Sequence, residues 1–147
     1  MFNVLQPPGW AAAKGYANGI EARGRMVFVA GMIGWNGQSQ FETDDFVDQC
    51  RQALQNIVDT LACANAGPQH LVRLTWYVLD RQEYLDSLRE VGAAYRELIG
   101  RHYPTMAVLQ VGGLVEPQAH DGGRGTHVVD GHARAGQTVA VVEVAHD

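Results

Sequence analysis

Few side chains in this sequence are spaced for chemistry. His120, His127 and His132 match neither H-x-x-x-H on a helix nor a zinc-finger pattern, so a metal centre is not expected. His70 and His102 fall at element ends, where a histidine caps a helix C-terminus or faces solvent. Gly31 to Gly34 and Gly112-Gly113 do not open a helix and lack the lysine and hydroxyl of a phosphate loop. Ser39 and Ser87 stand outside any nucleophile elbow. Cys50 and Cys63 lack C-x-x-C spacing. Both fall on one expected helix, about 20 Å apart at ~1.5 Å per residue, too far for a disulfide, and read as small core residues. What remains is proton transfer and hydrogen bonding. Glu116, near a strand end, reads as a general acid or a solvated loop carboxylate. Tyr16 offers a phenol to a ligand or is an ordinary half-buried strand tyrosine. Trp35, after a glycine turn, stacks on a ring or covers a sheet edge.

The chain must position these groups with one core. Its 147 residues are the size of one domain, and 46% hydrophobic content excludes wholesale disorder. Only 18% are charged, below the roughly 25% usual in soluble domains, so part of the surface is expected to be covered by something other than water. Lys+Arg 11 against Asp+Glu 16 gives net −5, with no cationic cluster. That balance argues against nucleic acid and anionic membrane as partners. No run approaches a membrane span, and Met1 to Pro8 lacks the basic and apolar stretches of a secretion signal. With unpaired thiols, the expected compartment is a reducing cytoplasm.

Tyr16 to Ala22 and Met26 to Ile33 read as strands joined by Arg23-Gly24-Arg25. Gly34-Trp35-Asn36-Gly37 reads as a second turn. Asp44 and Asp45 open a helix whose stripe is Phe46, Cys50, Ala53, Leu54, Ile57, Val58 and Leu61. Gly67 is the expected left-handed cap, with Pro68 blocking continuation. Leu71 to Leu79 is the next strand. Asp80 is placed to cap a second helix, with Glu83 completing a capping box. Its stripe is Tyr84, Leu88, Val91, Tyr95 and Leu98, ending at Gly100. Thr105 to Val111 follows as a strand. The order β-β-α-β-α-β predicts an α+β sheet with two helices on one face.

Met26 to Ala30, Trp76 to Leu79 and much of Met106 to Leu109 are apolar on both faces. Two helices cover one face, and nothing left in the chain covers the other. Soluble monomers avoid such a patch, so self-association is expected, with ligand sites at the seams between copies.

Several segments, in order, resemble the RidA/YjgF family. They are Gly15 to Ile20, Val27 to Asn36, Gln49 to Ile57, Val72 to Asp80 and Tyr103 to Met106. The similarity spans about residues 10–119, read as the RidA-like domain 1–119 with an atypical tail 120–147. It implies a chorismate-mutase-like fold and a homotrimer with clefts between subunits, each taking a small-molecule metabolite. It also implies hydrolysis of reactive enamines and imines to a 2-keto acid and ammonia, with no metal or organic cofactor. An older label for some members, translation-inhibiting endoribonuclease, fits poorly with the acidic balance.

Tyr16 matches the family's cleft tyrosine, and Gly31 the glycine whose backbone approaches the ligand. The Arg of active deaminases, two positions after the motif proline, is here Met106. That Arg forks onto the substrate carboxylate, and a thioether cannot. An ordinary 2-imino acid would lose about 1.5–3 kcal/mol of charged hydrogen bonding. Gly92 stands where some members carry a helix asparagine, so the resemblance implies a more apolar pocket with Trp35 and Met106 as walls.

The family would run from Ala119 into a strand of Val-Glu-Ile-Glu-Ala type, whose second Glu positions the hydrolytic water. This chain reads His120-Asp121-Gly122-Gly123-Arg124-Gly125 instead, without a strand period. Its degenerate codons, shifted by one nucleotide, permit Thr-Met-Glu-Val-Glu-Ala, so the tail is expected to be a frameshift in the gene or its record. If the tail is genuine, Val139 to Val144 is the substitute last strand and Glu143 the stand-in acid. The expectations are therefore a deaminase with a non-standard, more apolar substrate, or a non-catalytic sensor or carrier homotrimer. A chaperone-like interaction protein, resting only on the apolar sheet, is the third.

Overall fold

The computed structural model describes residues 2–114 and 137–139. Its strands are β1 (Phe2–Leu5), β2 (Gly19–Ala22), β3 (Gly31–Met32), β4 (Arg73–Val78), β5 (Thr105–Gln110) and β6 (Gln137–Val139). Its helices are α1 (Phe46–Ala62), α2 (Arg81–Asp86) and α3 (Leu88–Leu98), with a short 3-10 turn at Pro68–His70. The expected α+β architecture is present. A four-stranded sheet runs β3-β6-β4-β5, and β1 pairs antiparallel with β2 in a separate ribbon.

Helix α1 forms where the stripe predicts. The Asp45 carboxylate accepts from the Asp48 N–H at 2.9 Å, satisfying one of the donors a helix start leaves free. Phe46, Cys50, Ala53, Leu54, Ile57 and Leu61 are buried, and Val58 is half-buried at the edge. All but Ala53 pack with Leu74, Trp76 and Val78 of β4 and with Val91 and Tyr95 of α3 in a single apolar cluster. Alternation along β4 sends Leu74, Trp76 and Val78 to the helices and Arg73, Thr75 and Tyr77 to the opposite face. The parallel register Leu74↔Met106 and Trp76↔Val108 sets Met106 and Val108 on the helix side of β5. A parallel pair needs a crossover, which α2 and α3 supply.

Four local expectations are corrected. The Tyr16–Ala22/Met26–Ile33 hairpin does not form. β2 takes its ladder from β1, in register Phe2↔Ala22 to Leu5↔Gly19, a strand that no motif marked. β3 is only Gly31–Met32, which pair with Val139 and Thr138 of β6. The second helix is two, broken at Ser87 (φ −105°, ψ 8°), whose N–H is shared by the Glu83 and Tyr84 carbonyls. The break leaves Leu88 exposed. After α1 the left-handed residue is Asn65 (φ 54°), while Gly67 is extended at φ −139°. In the turn after β3, Ser39 takes positive φ (59°), and the Asn36 side chain braces the loop by accepting from the Gln38 and Gln40 N–H groups.

Of the expected last strand Val139–Val144, Val139 lies in β6; the rest, Glu143 included, lie outside the described residues, as do residues 115–136 with Glu116. β6 joins β3 to β4 through Gly31↔Val139 and Thr75↔Val139. Met26 and Phe28 are 54% and 65% exposed, and Leu109 of β5 is 46% exposed on the face away from the helices. One chain therefore leaves apolar surface uncovered, although Met26 and Phe28 lie outside the strand expected to carry them. Among the described residues no helix is long and apolar enough to cross a membrane.

Candidate functional site

A cleft of about 510 Å³ opens between α3 and β5, closed at one end by the chain before β2. Three residues expected at a site meet there: Tyr16, Gly92 and Met106. Each arrives by a different route. Tyr16 follows Gly15, which turns the chain at φ +76°, a conformation a side chain would strain. The neighbouring Ala17 N–H donates to the Pro104 carbonyl at 3.0 Å, tying this segment to the start of β5. Met106 is the second residue of β5, which is anchored when the Thr105 N–H and Oγ1 both donate to the Val72 carbonyl, at 2.9 and 2.8 Å. Gly92 is on the cleft side of α3, one turn before Arg96.

The walls are aromatic and apolar. Trp76 forms the floor from β4, with Tyr84, Leu88, Val91 and Val108 around it. Tyr95 and Tyr103 stack with ring centroids 5.7 Å apart and planes at 11°. The Tyr95 hydroxyl donates to the His102 carbonyl at 2.6 Å, and a His102 ring nitrogen meets the Leu71 carbonyl at 2.6 Å. Burial first, and the Tyr103 phenol second, push the Tyr95 phenol far above its ordinary value. Tyr95 is thus a neutral structural tyrosine, and Tyr16, 46% exposed, is the phenol free to meet a ligand.

Two cations also line the cleft, Lys14 and Arg96, and sequence reasoning missed both. No aspartate or glutamate lines it among the described residues. The signals were present: Lys14 is two residues before Tyr16, and Arg96 follows Gly92 by four, the spacing that stacks side chains on one helix face. The cleft is therefore apolar in its walls but not uncharged at its rim.

Gly31 and Trp35 do not reach this cleft within one chain. Gly31 is exposed in β3, and Trp35 packs on Phe41 across a small bridge, with centroids 6.1 Å apart. Asn56 of α1 holds the loop by donating to the Ile33 and Trp35 carbonyls at 3.0 and 2.8 Å. Gly34 between them lies against α1 so closely that a Cβ would sit 2.7 Å from Gln49 Cβ. No group of three or more metal-ligating side chains exists among the described residues. Burial, then the nearby Glu83 and Asp45 carboxylates, push the Cys50 thiol up to about 12, which removes it as a nucleophile.

The protein from Yersinia pestis called YyfB, of the conserved Rid family, superposes with TM-score 0.70 at 20% identity, over 95% of this chain and 98% of that one. Rv2704 of Mycobacterium tuberculosis, a YjgF/YER057c/UK114 family member, gives 0.54 at 25% identity over 87% and 86%. E. coli TdcF, solved with bound serine, gives 0.61 at 21% identity over 92% and 91%. No curated protein matches the chain. The family profile described as endoribonuclease L-PSP matches residues 7–120, more than three quarters of the sequence, beginning before the cleft's first residue and ending past β5. The chain belongs to this family, the RidA/YjgF family.

Proposed function

We propose that this protein is a hydrolytic deaminase of reactive enamines and imines whose substrate carries an aromatic or apolar body. The observation that supports the reading most is the convergence of Tyr16, Gly92 and Met106 on a 510 Å³ cleft floored by Trp76. In the proposed reaction an enamine first tautomerises to its imine. Water adds to the imine carbon, a carboxylate takes the water's proton, and the nitrogen is protonated. The resulting carbinolamine then expels ammonia and leaves a carbonyl, so C=N and water become C=O and ammonia. Tyr16 holds the substrate, and the apolar walls take its body. The acid in this proposal is Glu116 or a carboxylate of the last strand, which is Glu143 if the tail is genuine, and reading the transcript across His120 tests the tail.

The exposed apolar side chains of Met26, Phe28 and Leu109 support a homotrimer. In that assembly Gly31, remote from the cleft of its own chain, contacts substrate from a neighbouring copy. The test supplies imines formed in situ by an amino-acid oxidase and measures ammonia and 2-keto acid with and without the protein. Faster release from the phenylalanine-derived imine than from iminobutanoate supports the proposal, and no acceleration with either refutes it. A second reading, a non-catalytic sensor or carrier, is favoured by the missing carboxylate among the described lining residues. A ligand recovered tightly bound by mass spectrometry, with no imine turned over, selects it.

A further inference from the structure

The cleft's rim has an unusual charge. Of its thirteen described lining residues two are cationic and none is anionic, in a chain of net charge −5. Neither Lys14 nor Arg96 donates a side-chain hydrogen bond or forms an ion pair among the described residues, whereas Arg51 of α1 is paired with Glu97 of α3. Arg96 is not pointing away from the cleft. Helical side chains lean toward the N-terminus and cover the residue one turn back. Here the guanidinium lies over Gly92, where a Cβ would sit 3.2 Å from Nη1 and 4.0 Å from Cζ. Glycine at position 92 thus leaves the space that the guanidinium occupies.

We infer that Arg96, seated over Gly92, is the carboxylate anchor of this cleft, with Lys14 adding charge at the opposite lip, and that the ligand is an aryl-bearing 2-oxo or 2-imino monocarboxylate. A guanidinium presents a planar fork that matches a carboxylate, and an unpaired one at an apolar cleft favours an anion over its neutral analogue. The anchor stands on the helix wall, while position 106 on the strand wall is a thioether. A ligand held from the helix lip spans the cleft with its apolar body over Trp76, and a short aliphatic acid does not fill that space. The inference rests on the cleft being the ligand site, as proposed above, but requires no turnover.

Calorimetric titration with phenylpyruvate and its methyl ester tests it. The acid is expected to bind at least tenfold tighter than the ester, with the difference shrinking as salt rises. Arg96→Gln is expected to abolish that preference while leaving ester affinity unchanged. Gly92→Ala displaces the guanidinium without touching the ligand's body, so it should weaken the acid severalfold while thermal stability stays level or rises. Equal binding of acid and ester, no binding of either, or an equal loss of both in Arg96→Gln overturns the inference. Absence of imine turnover with the acid preference intact would refute only the deaminase reading.

Discussion

Met106→Arg is the most informative single change. Met106 is half-buried, packs against the apolar cluster and faces the cleft in register with Leu74. An arginine there places a planar fork on the strand wall, directly at the reacting end of a small 2-imino acid. Two charge-assisted hydrogen bonds to a carboxylate contribute about 1.5–3 kcal/mol net. At about 1.4 kcal/mol per factor of ten, that is roughly a 10- to 150-fold gain in kcat/KM for iminobutanoate. The bond is made in the ground state as well as the transition state, so the gain should come chiefly as a lower KM. Lys14 and Arg96 lie in the same cleft without a carboxylate among the described lining residues, so the new charge costs stability, and circular dichroism must confirm folding. Ammonia release from imine formed in situ is the readout. A folded Met106→Arg protein with no gain on iminobutanoate would refute the idea that the missing fork excludes small imino acids.

Other expectations follow from specific contacts. Light scattering at micromolar concentration should report a particle larger than the 16.0 kDa chain, and Phe28→Glu should shift it toward the monomer by charging the uncovered face. A 16.0 kDa particle for the unaltered protein would refute the assembly and the contact from Gly31. Gly34→Ala should destabilise by about 1–3 kcal/mol in urea titration, because its Cβ would meet Gln49 backbone and Cβ atoms that cannot swing aside. Native protein should expose one fast-reacting thiol, Cys63, and a second only on unfolding, since Cys50 is buried. The Cys50 thiol rises from 9.0 unfolded to about 12 folded, so its proton is held more tightly in the native state. Its contribution is complete below pH 9.0 and is lost as pH climbs toward 12, at about 1.4 kcal/mol per pH unit. Tyr84, raised chiefly by burial, acts in the same direction, so stability in urea should fall steadily above pH 9.0.

The fold was legible wherever a period or cap was strong. Phe46 to Leu61 repeat at helical spacing under an Asp45 cap, and Asp80 caps its helix by accepting from the Gln82 and Glu83 N–H groups. Paired strands were harder to read, because a ladder depends on a partner that lies far along the chain. Phe2–Leu5 finds β2 seventeen positions away, and among the described residues β3 pairs with Thr138 and Val139, more than a hundred positions on. The helix break at Ser87 escaped notice because Tyr84, Leu88 and Val91 keep helical spacing across it. Of the residues the resemblance marked, Tyr16, Gly92 and Met106 line one cleft, and Gly31 and Trp35 do not. Arg96 was not marked, since its role comes from what residue 92 lacks, and a missing side chain leaves no mark in a periodicity.

The placement of β6 bears on how the chain is made. Residues 137–139 sit between β3 and β4, with Thr75 and Gly31 both opposite Val139. During synthesis the first hundred residues leave the ribosome with a gap in the middle of the sheet, and both strand edges flanking it are open to intruders. Closure waits until residues 137–139 have emerged. Substitutions that break their ladder should therefore lower soluble yield more than equal changes in β1.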